Sequence, residues 1–338
     1  QGIKIFSLMV NECSQNGFLL PVLEKKEQEK VNDTHIDDIE SDEEEEDLDL
    51  DNPVIIEADN KGKLDSKAIS KFLNEMILNP RKIALEWSKI TKQTPALNIG
   101  YPSQHLSSLL TGYEGKRSGA RGDDVSDGTE VKSCNRVDQV DECSECKEKV
   151  MRSEKKCLNC NSDKINRKED SKWLFTIRSE KELQELITSN RVLLILFDYP
   201  EFKDNNFEKI RIRAFEIYPK NPRHNRFVEI MKNYYYNIYL NNLEKNPKKV
   251  PAPKNFWPNS YQFYLSNPIK IFECIITSIN ENPSIESIDF ITPIIDRCNL
   301  PSENLPKSIL NKNEKKLFSH ITGDYLNEDD KKNLLLRD

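Results

Sequence analysis

The sequence predicts an α/β fold whose elements run helix, two-strand hairpin, third strand, helix and buried strand, with a four-cysteine ribbon inserted after the hairpin. Three observations carry that order. Pro102 to Gly112 hold Leu106, Leu109 and Leu110 at helical spacing and stop on a glycine. Gly122 to Ser133, GDDVSDGTEVKS, places the hairpin-turn dipeptide Asp127-Gly128 between Val125 and the alternating Thr129 and Val131. Val192 to Phe197, VLLILF, is a continuous apolar run of the length expected for a strand buried on both faces.

The remaining elements follow in chain order. Residues 1–30 open with Ile3, Ile5, Phe6, Leu8, Met9 and Val10 and read as an N-terminal helical segment. From 31 to 60 there is no lysine or arginine, and acids accumulate in ESDEEEEDLDLD. Such a run repels itself and buries nothing, so it reads as an acidic linker, the alternative being an arm that mimics DNA. Residues 61–112 read as a helical subdomain. Ile69, Phe72, Leu73, Met76 and Ile77 form one stripe, Asn79-Pro80 ends that helix, and Ile83, Ala84, Trp87 and Ile90 mark the apolar side of the next. After the ribbon, Trp173 to Ile177 predict the third strand and Glu180 to Ile187 a short helix. Ile210, Ile212 and Ala214 alternate with Arg211 and Arg213 as a half-exposed strand, and a long helix begins at Asn221-Pro222. These elements place a core over 113–245. Residues 246–338, Pro- and aromatic-rich at their start, read as a C-terminal wrapping segment and tail.

The hairpin carries the chemistry. Glu130 and Lys132 lie two apart on a strand and so share a face. A two-residue loop sets Asp123 opposite Lys132, whereas a three-residue loop with a bulge gives that place to Asp124. In either register two carboxylates and one ammonium converge. Such a pair suits a hard divalent cation such as Mg²⁺, and the lysine can orient or deprotonate a water that attacks a phosphodiester. The bland alternative is a salt-bridged surface hairpin.

Cys143, Cys146, Cys157 and Cys160 form two C-x2-C knuckles ten residues apart. Four thiolates around one tetrahedral ion predict a structural zinc site over 143–160, closed to water. The other cysteines, Cys13, Cys134, Cys274 and Cys298, are scattered.

The stretch D…E-x-K resembles the signature of the PD-(D/E)XK nucleases, with Asp124, Glu130 and Lys132 in the signature places, Asp123 as the alternative first acid, and the usual proline absent. The resemblance implies the αβββαβ restriction-endonuclease-like core, a mixed sheet flanked by helices. Over residues 65–275 the hairpin, the four cysteines, DSKWLFTIR, IRIRAFEIYP and PAPKNFWP resemble the type II restriction endonucleases of the MamI kind. That likeness implies Mg²⁺-dependent cleavage of double-stranded DNA at a short sequence, by a homodimer and within a restriction–modification system.

Charge is compatible with that reading. The net −7 of the 338 residues divides into −14 over residues 1–60 and +7 over the rest. A basic body fits a nucleic-acid partner, with Arg117, Arg121 and Lys172 as phosphate contacts and Arg211, Arg213, Arg223 and Lys254 as weaker candidates. No phosphate-binding loop points to a nucleotide cofactor. No apolar run is long enough for a membrane span and no leader opens the chain, so the expectation is a soluble intracellular protein, and the resemblance implies the cytoplasm of a prokaryote. Two other readings compete: a zinc-ribbon DNA-binding module without catalysis, and a repair nuclease that selects structure over sequence.

Overall fold

The first helical stretch does not break where Asn79-Pro80 predicts. Helix α1 (Ser66–Leu73) runs through a π turn (Asn74–Leu78) straight into α2 (Asn79–Thr91). Proline lacks an N–H and its ring crowds the carbonyl one turn back. The wider turn, in which the Asn79 N–H reaches back to the Asn74 carbonyl, absorbs that defect without ending the helix. This computed structural model describes residues 66–337 other than 97, 117–122 and 294. The expectations for 1–30 and 31–60, and those for Arg117 and Arg121, lie outside the described residues.

Helix α2 also buries a different side from the one expected. Arg81, Leu85 and Ser88 face inward, while Ile83, Trp87 and Ile90 are exposed. The inward face is set by Arg81, which is paired with Asp138 and donates to the Pro95 carbonyl at 2.8 Å. Helix α3 (Gly100–Thr111) closes at Gly112, whose φ of 79° is the left-handed conformation that glycine adopts freely.

The central sheet has five strands in the order β1 (Thr129–Asn135), β6 (Arg191–Asp198), β7 (Ile210–Ile217), β9 (Ile269–Thr277), β10 (Ser284–Phe290). Strand β1 (Thr129–Asn135) lies at one edge. The cysteine insert follows as a small antiparallel sheet of β2 (Asp141–Cys143), β3 (Lys149–Val150) and β4 (Ile165–Asn166). Next come β5 (Trp173–Phe175) and α4 (Glu180–Thr188), which lead to β6 (Arg191–Asp198), parallel to β1 with Glu130 opposite Val192 and Lys132 opposite Leu194. A parallel neighbour requires such a crossover. Strand β7 (Ile210–Ile217) is antiparallel to β6 and precedes α5 (Asn225–Asn233), a π turn (Tyr234–Tyr239) and α6 (Leu240–Lys245).

Three sequence expectations are corrected here. The first arm of the hairpin is no strand of the sheet: Val125 makes only single bridges, to Thr129 and to Gly115. The WLF segment is not a third central strand, because β5 pairs with β8 (Lys254–Phe256) in a separate two-stranded ribbon. Burial explains this: Trp173 and Phe175 sink into the aromatic cluster of Phe227, Phe256 and Phe263, and the Trp173 indole N–H donates to the Ile195 carbonyl at 3.0 Å. Finally, the sheet reaches past residue 245. After the short helix α7 (Tyr261–Leu265), β9 (Ile269–Thr277) packs as an interior strand and β10 (Ser284–Phe290) as the far edge. The rest of the chain adds β11 (Leu305–Pro306), α8 (Lys312–Leu317), β12 (Tyr325–Leu326) and α9 (Glu328–Lys331) around a third apolar cluster.

Strand β6 is apolar on both faces because both are covered. Leu193, Ile195 and Phe197 face the layer of α1 and α3, whereas Val192, Leu194 and Leu196 face α4 and α5. The result is a mixed sheet between helices. Among the described residues no helix is long and apolar enough to cross a membrane.

One buried ion chain crosses the edge of this sheet. Arg191 pairs with Asp127 in the turn before β1, donates to Thr129 Oγ1 at 3.0 Å and to Glu216 Oε1 at 2.8 Å. Glu216 also accepts from Arg297, again at 2.8 Å, and from the Tyr218 hydroxyl. Removing one member strands a buried charge, at about 3–5 kcal/mol. Glu216→Ala is expected to lower Tm by on the order of 10 °C, measured by calorimetry. An unchanged Tm would show that the chain is not a structural lock.

Candidate active site and cysteine centre

The turn before β1 selects between the two registers that the sequence leaves open. Val125 and Thr129 bridge across Ser126, Asp127 and Gly128, so the loop has three residues. The N–H groups of both Asp124 and Val125 point to the Thr129 carbonyl, at 3.1 and 3.2 Å, as in a bulged hairpin. Gly128 takes φ 79°, and an added Cβ would lie 3.2 Å from the Asn190 side chain.

This bulge carries Asp124 to the open edge of β1. Its Oδ2 accepts the Val131 N–H at 2.8 Å and its Oδ1 accepts from Gln104 Nε2 at 2.6 Å. Glu130, half-buried on β1, is ion-paired with Lys132 on the same face. The structure thus brings Asp124, Glu130 and Lys132 together. Asp123 sits beside them, with Lys116 Nζ at 3.2 Å. Lys132 Nζ also lies 5.9 Å from the centre of the Phe175 ring, so an apolar wall backs the ammonium.

Burial dominates the electrostatics. Desolvation raises the Asp124 carboxyl above its ordinary value, against the Val131 N–H, Lys132 and Gln104, which all favour the charged form. Desolvation also raises Glu130, against the opposing pull of Lys132 and with further repulsion from Asp124 and Asp123. Two partly buried carboxylates that resist ionisation are a receptive pair for a divalent cation, whose charge supplies what the solvent does not.

Gln104 is the site residue that sequence reasoning passed over. It lies in the first turns of α3, and nothing in its local pattern sets it apart. Only the packing of α3 against β1 brings it to Asp124. Lys172 is found over the Trp257 ring at 4.5 Å. The weaker phosphate candidates Arg211 and Arg213 are both committed to the buried Asp198, at 3.0 and 2.6 Å, and Arg223 is paired with Glu328.

In the insert, the thiols of Cys143, Cys146, Cys157 and Cys160 all lie within 4.8 Å of one another. The two knuckles are equivalent turns. The Lys147 N–H returns to the Cys143 carbonyl at 3.0 Å and the Asn161 N–H to the Cys157 carbonyl at 2.9 Å. Lys147 and Asn161 both take positive φ, 64° and 58°. The Sγ separations of 3.5 Å for Cys143–Cys160 and for Cys146–Cys157 suit four sulfurs around one tetrahedral ion. The insert is anchored through Asp141, whose buried carboxylate accepts from Arg152 at 2.7 and 2.9 Å, from Arg167 at 2.9 Å and from the Lys168 N–H at 2.8 Å. The Arg152 guanidinium in turn packs on Tyr199, Phe202 and Phe207 at 5.2–5.4 Å, joining the ribbon to the β6–β7 connection.

The family model described as MamI restriction endonuclease matches residues 86–308, about two thirds of the chain. The type II restriction enzyme MamI of Microbacterium ammoniaphilum is 36% identical over 55 residues, an alignment that spans 16% of this chain and 18% of that protein. No solved structure matches.

The raised Glu130 carboxyl has a stability consequence. Between its ordinary value of 4.5 and its raised folded value, the folded state holds the proton that the unfolded chain has lost. Stability therefore falls as pH rises through that window and stays lower above it. In metal-free protein at neutral pH, Glu130→Gln is expected to raise Tm slightly, with the difference vanishing below about pH 4. A clear fall in Tm for the variant in EDTA would contradict this account of the site.

Proposed function

The chain belongs to the MamI restriction endonuclease family, and from that premise we propose that it is a type II restriction endonuclease that hydrolyses phosphodiester bonds of double-stranded DNA at a short sequence, with Mg²⁺, as the nuclease of a restriction–modification system. The observation that carries the reading is the convergence of Asp124, Glu130 and Lys132 at the open edge of β1.

Asp124 and Glu130 would hold the Mg²⁺, which supplies positive charge beside the scissile phosphate and favours ionised water. Lys132 Nζ, held on Glu130 and backed by Phe175, orients the attacking water toward phosphorus and takes part in its deprotonation. Gln104 holds the Asp124 carboxylate through its hydrogen bond to Oδ1. The edge position of β1 leaves room for a DNA backbone, because among the described residues no further strand of the central sheet covers it. Asp123 is a neighbouring acid engaged with Lys116 and not the metal ligand in this reading.

The core is read as that of the PD-(D/E)XK nucleases. What supports this is the acid at a bulged turn, the E-x-K on the following edge strand, and a crossover to a parallel buried neighbour. Zinc is the ion proposed for the four cysteines, since four thiolates in two equivalent knuckles leave no open position and make the role structural. The site of action is the cytoplasm of a prokaryote, where the DNA partner resides.

One set of Asp124, Glu130 and Lys132 cuts one strand per encounter, so a double-strand break needs two chains or a second encounter, and the proposed arrangement is two chains about a twofold axis, each reading half of a symmetric site. Lys132→Ala is expected to reduce Mg²⁺-dependent cutting by roughly 10²-fold or more while leaving the fold intact. Mixed with wild type, it should yield nicked circles from a plasmid carrying one site, scored by gel electrophoresis. Cutting by Lys132→Ala at the wild-type rate would remove the mechanism, and a mixture giving no additional nicked product would remove the dimer.

A further inference from the structure

An open cleft of about 580 Å³ has Lys254 of β8 in its wall, and the mechanism above does not use it. Its walls come from the π turn after α5, from β8 and the loop that leads to α7, and from Arg337 near the C-terminus. Aromatic and amide side chains dominate the lining, among them Tyr234, Asn255, Trp257 and Gln262.

Three observations point to one kind of occupant. The first is charge. The chain as a whole is acidic, yet residues 245–272 hold five lysines and no aspartate or glutamate. Of these lysines Lys254 lines the cleft and Lys270 is paired on β9 with Glu273, so the stretch offers the cleft one ammonium and no carboxylate, a balance that favours an anion. Arg337 adds a cation stacked at 3.6 Å on Tyr261, although Glu314 at 3.4 Å offsets it. The second is the aromatic platform. Trp257 lines the cleft with more than a third of its surface exposed, and Lys172 Nζ is held 4.5 Å from its ring centre. An exposed indole beside ammonium groups pairs a stacking face with a phosphate contact. The third is position. Lys254 is opposite Phe175 in the β5–β8 ribbon, and the Phe175 ring lies against Lys132. The cleft therefore begins one strand away from the catalytic lysine.

We propose that this cleft receives a nucleotide of the DNA strand next to the cleaved phosphate, with its base turned out of the duplex stack against the Trp257 indole and its phosphates on Lys254 and Lys172. The assignment rests on the nuclease reading of the β1 edge. Gln262, whose Oε1 accepts from Lys254 Nζ at 2.8 Å, holds that lysine at the rim and turns its amide nitrogen to hydrogen-bond the nucleotide. Neither Trp257 nor Lys254 belongs to the catalytic group, so their loss acts on binding and not on the chemical step.

The test compares wild type with Trp257→Ala, Trp257→Phe and Lys254→Ala on a plasmid that the wild type linearises in Mg²⁺. Trp257→Ala is expected to raise KM about tenfold, with kcat within about threefold of wild type and with Trp257→Phe restoring most of the loss. Lys254→Ala should lower the slope of log affinity against log salt by about one, as one phosphate contact is lost. An unchanged KM in Trp257→Ala, or a loss confined to kcat, would overturn the cleft as a nucleotide site while leaving the nuclease reading intact. If the wild type cuts no DNA, the nuclease reading fails, and tryptophan fluorescence on titration with the same plasmid decides for the cleft. A quench absent from Trp257→Phe supports it, and equal signals from the two proteins reject it.

Discussion

The acidic edge of β1 depends on the buried ion chain from Asp127 through Arg191 and Glu216 to Arg297. Arg191 grips the turn that precedes β1 and Glu216 ties Arg191 to β7. Arg297 closes the far end by donating to the Leu110 carbonyl at the end of α3 at 2.8 Å. Taking four charges out of water is unfavourable, and apolar residues of the same size would hold the layers together at least as well. What the chain contributes is position. The turn, the parallel pair β1–β6 and helix α3 are held in one register, and that register decides which aspartate reaches the β1 edge. Asp124 then spends its carboxylate on the Val131 N–H and on Gln104, both of which lie on elements that the ion chain fixes.

A second lock holds the cysteine insert. Asp141 is buried and its lone pairs are filled by two arginines and a backbone N–H, while Arg152 rests on three rings from the β6–β7 connection. The arginines and lysines that crowd this part of the sequence thus divide into two kinds. Arg152 and Arg167 serve the interior, and Lys147, Lys149 and Lys164 remain at the surface. A ribbon anchored in this way is fixed to the β6–β7 connection.

Much of this was legible because the signals are local. The two C-x2-C knuckles, the apolar run of β6, the glycine stop of α3 and the carboxylates around Lys132 depend on spacing alone. What was not legible depends on tertiary choices. WLF has the pattern of a central strand, yet Trp173 and Phe175 gain more by joining the aromatic cluster behind β8. IKIFECIIT sits after a Pro- and aromatic-rich segment that reads as irregular, so its place as an interior strand was hidden by its surroundings. Pro80 suggests a break, but a π turn removes it. The side that α2 buries is chosen by the Arg81–Asp138 pair, which joins residues far apart in sequence. Gln104 became visible only when α3 met the turn.

The central claim is that Asp124 and Glu130, and not Asp123, form the divalent-ion site at the edge of β1. Titration of metal-free protein with Mn²⁺, followed by electron paramagnetic resonance of the free ion, tests it without reference to DNA or turnover. A specific site is expected in wild type and in Asp123→Asn, and it should be lost or weakened by at least tenfold in Asp124→Asn. Retention of the site in Asp124→Asn, with its loss in Asp123→Asn, would contradict that claim.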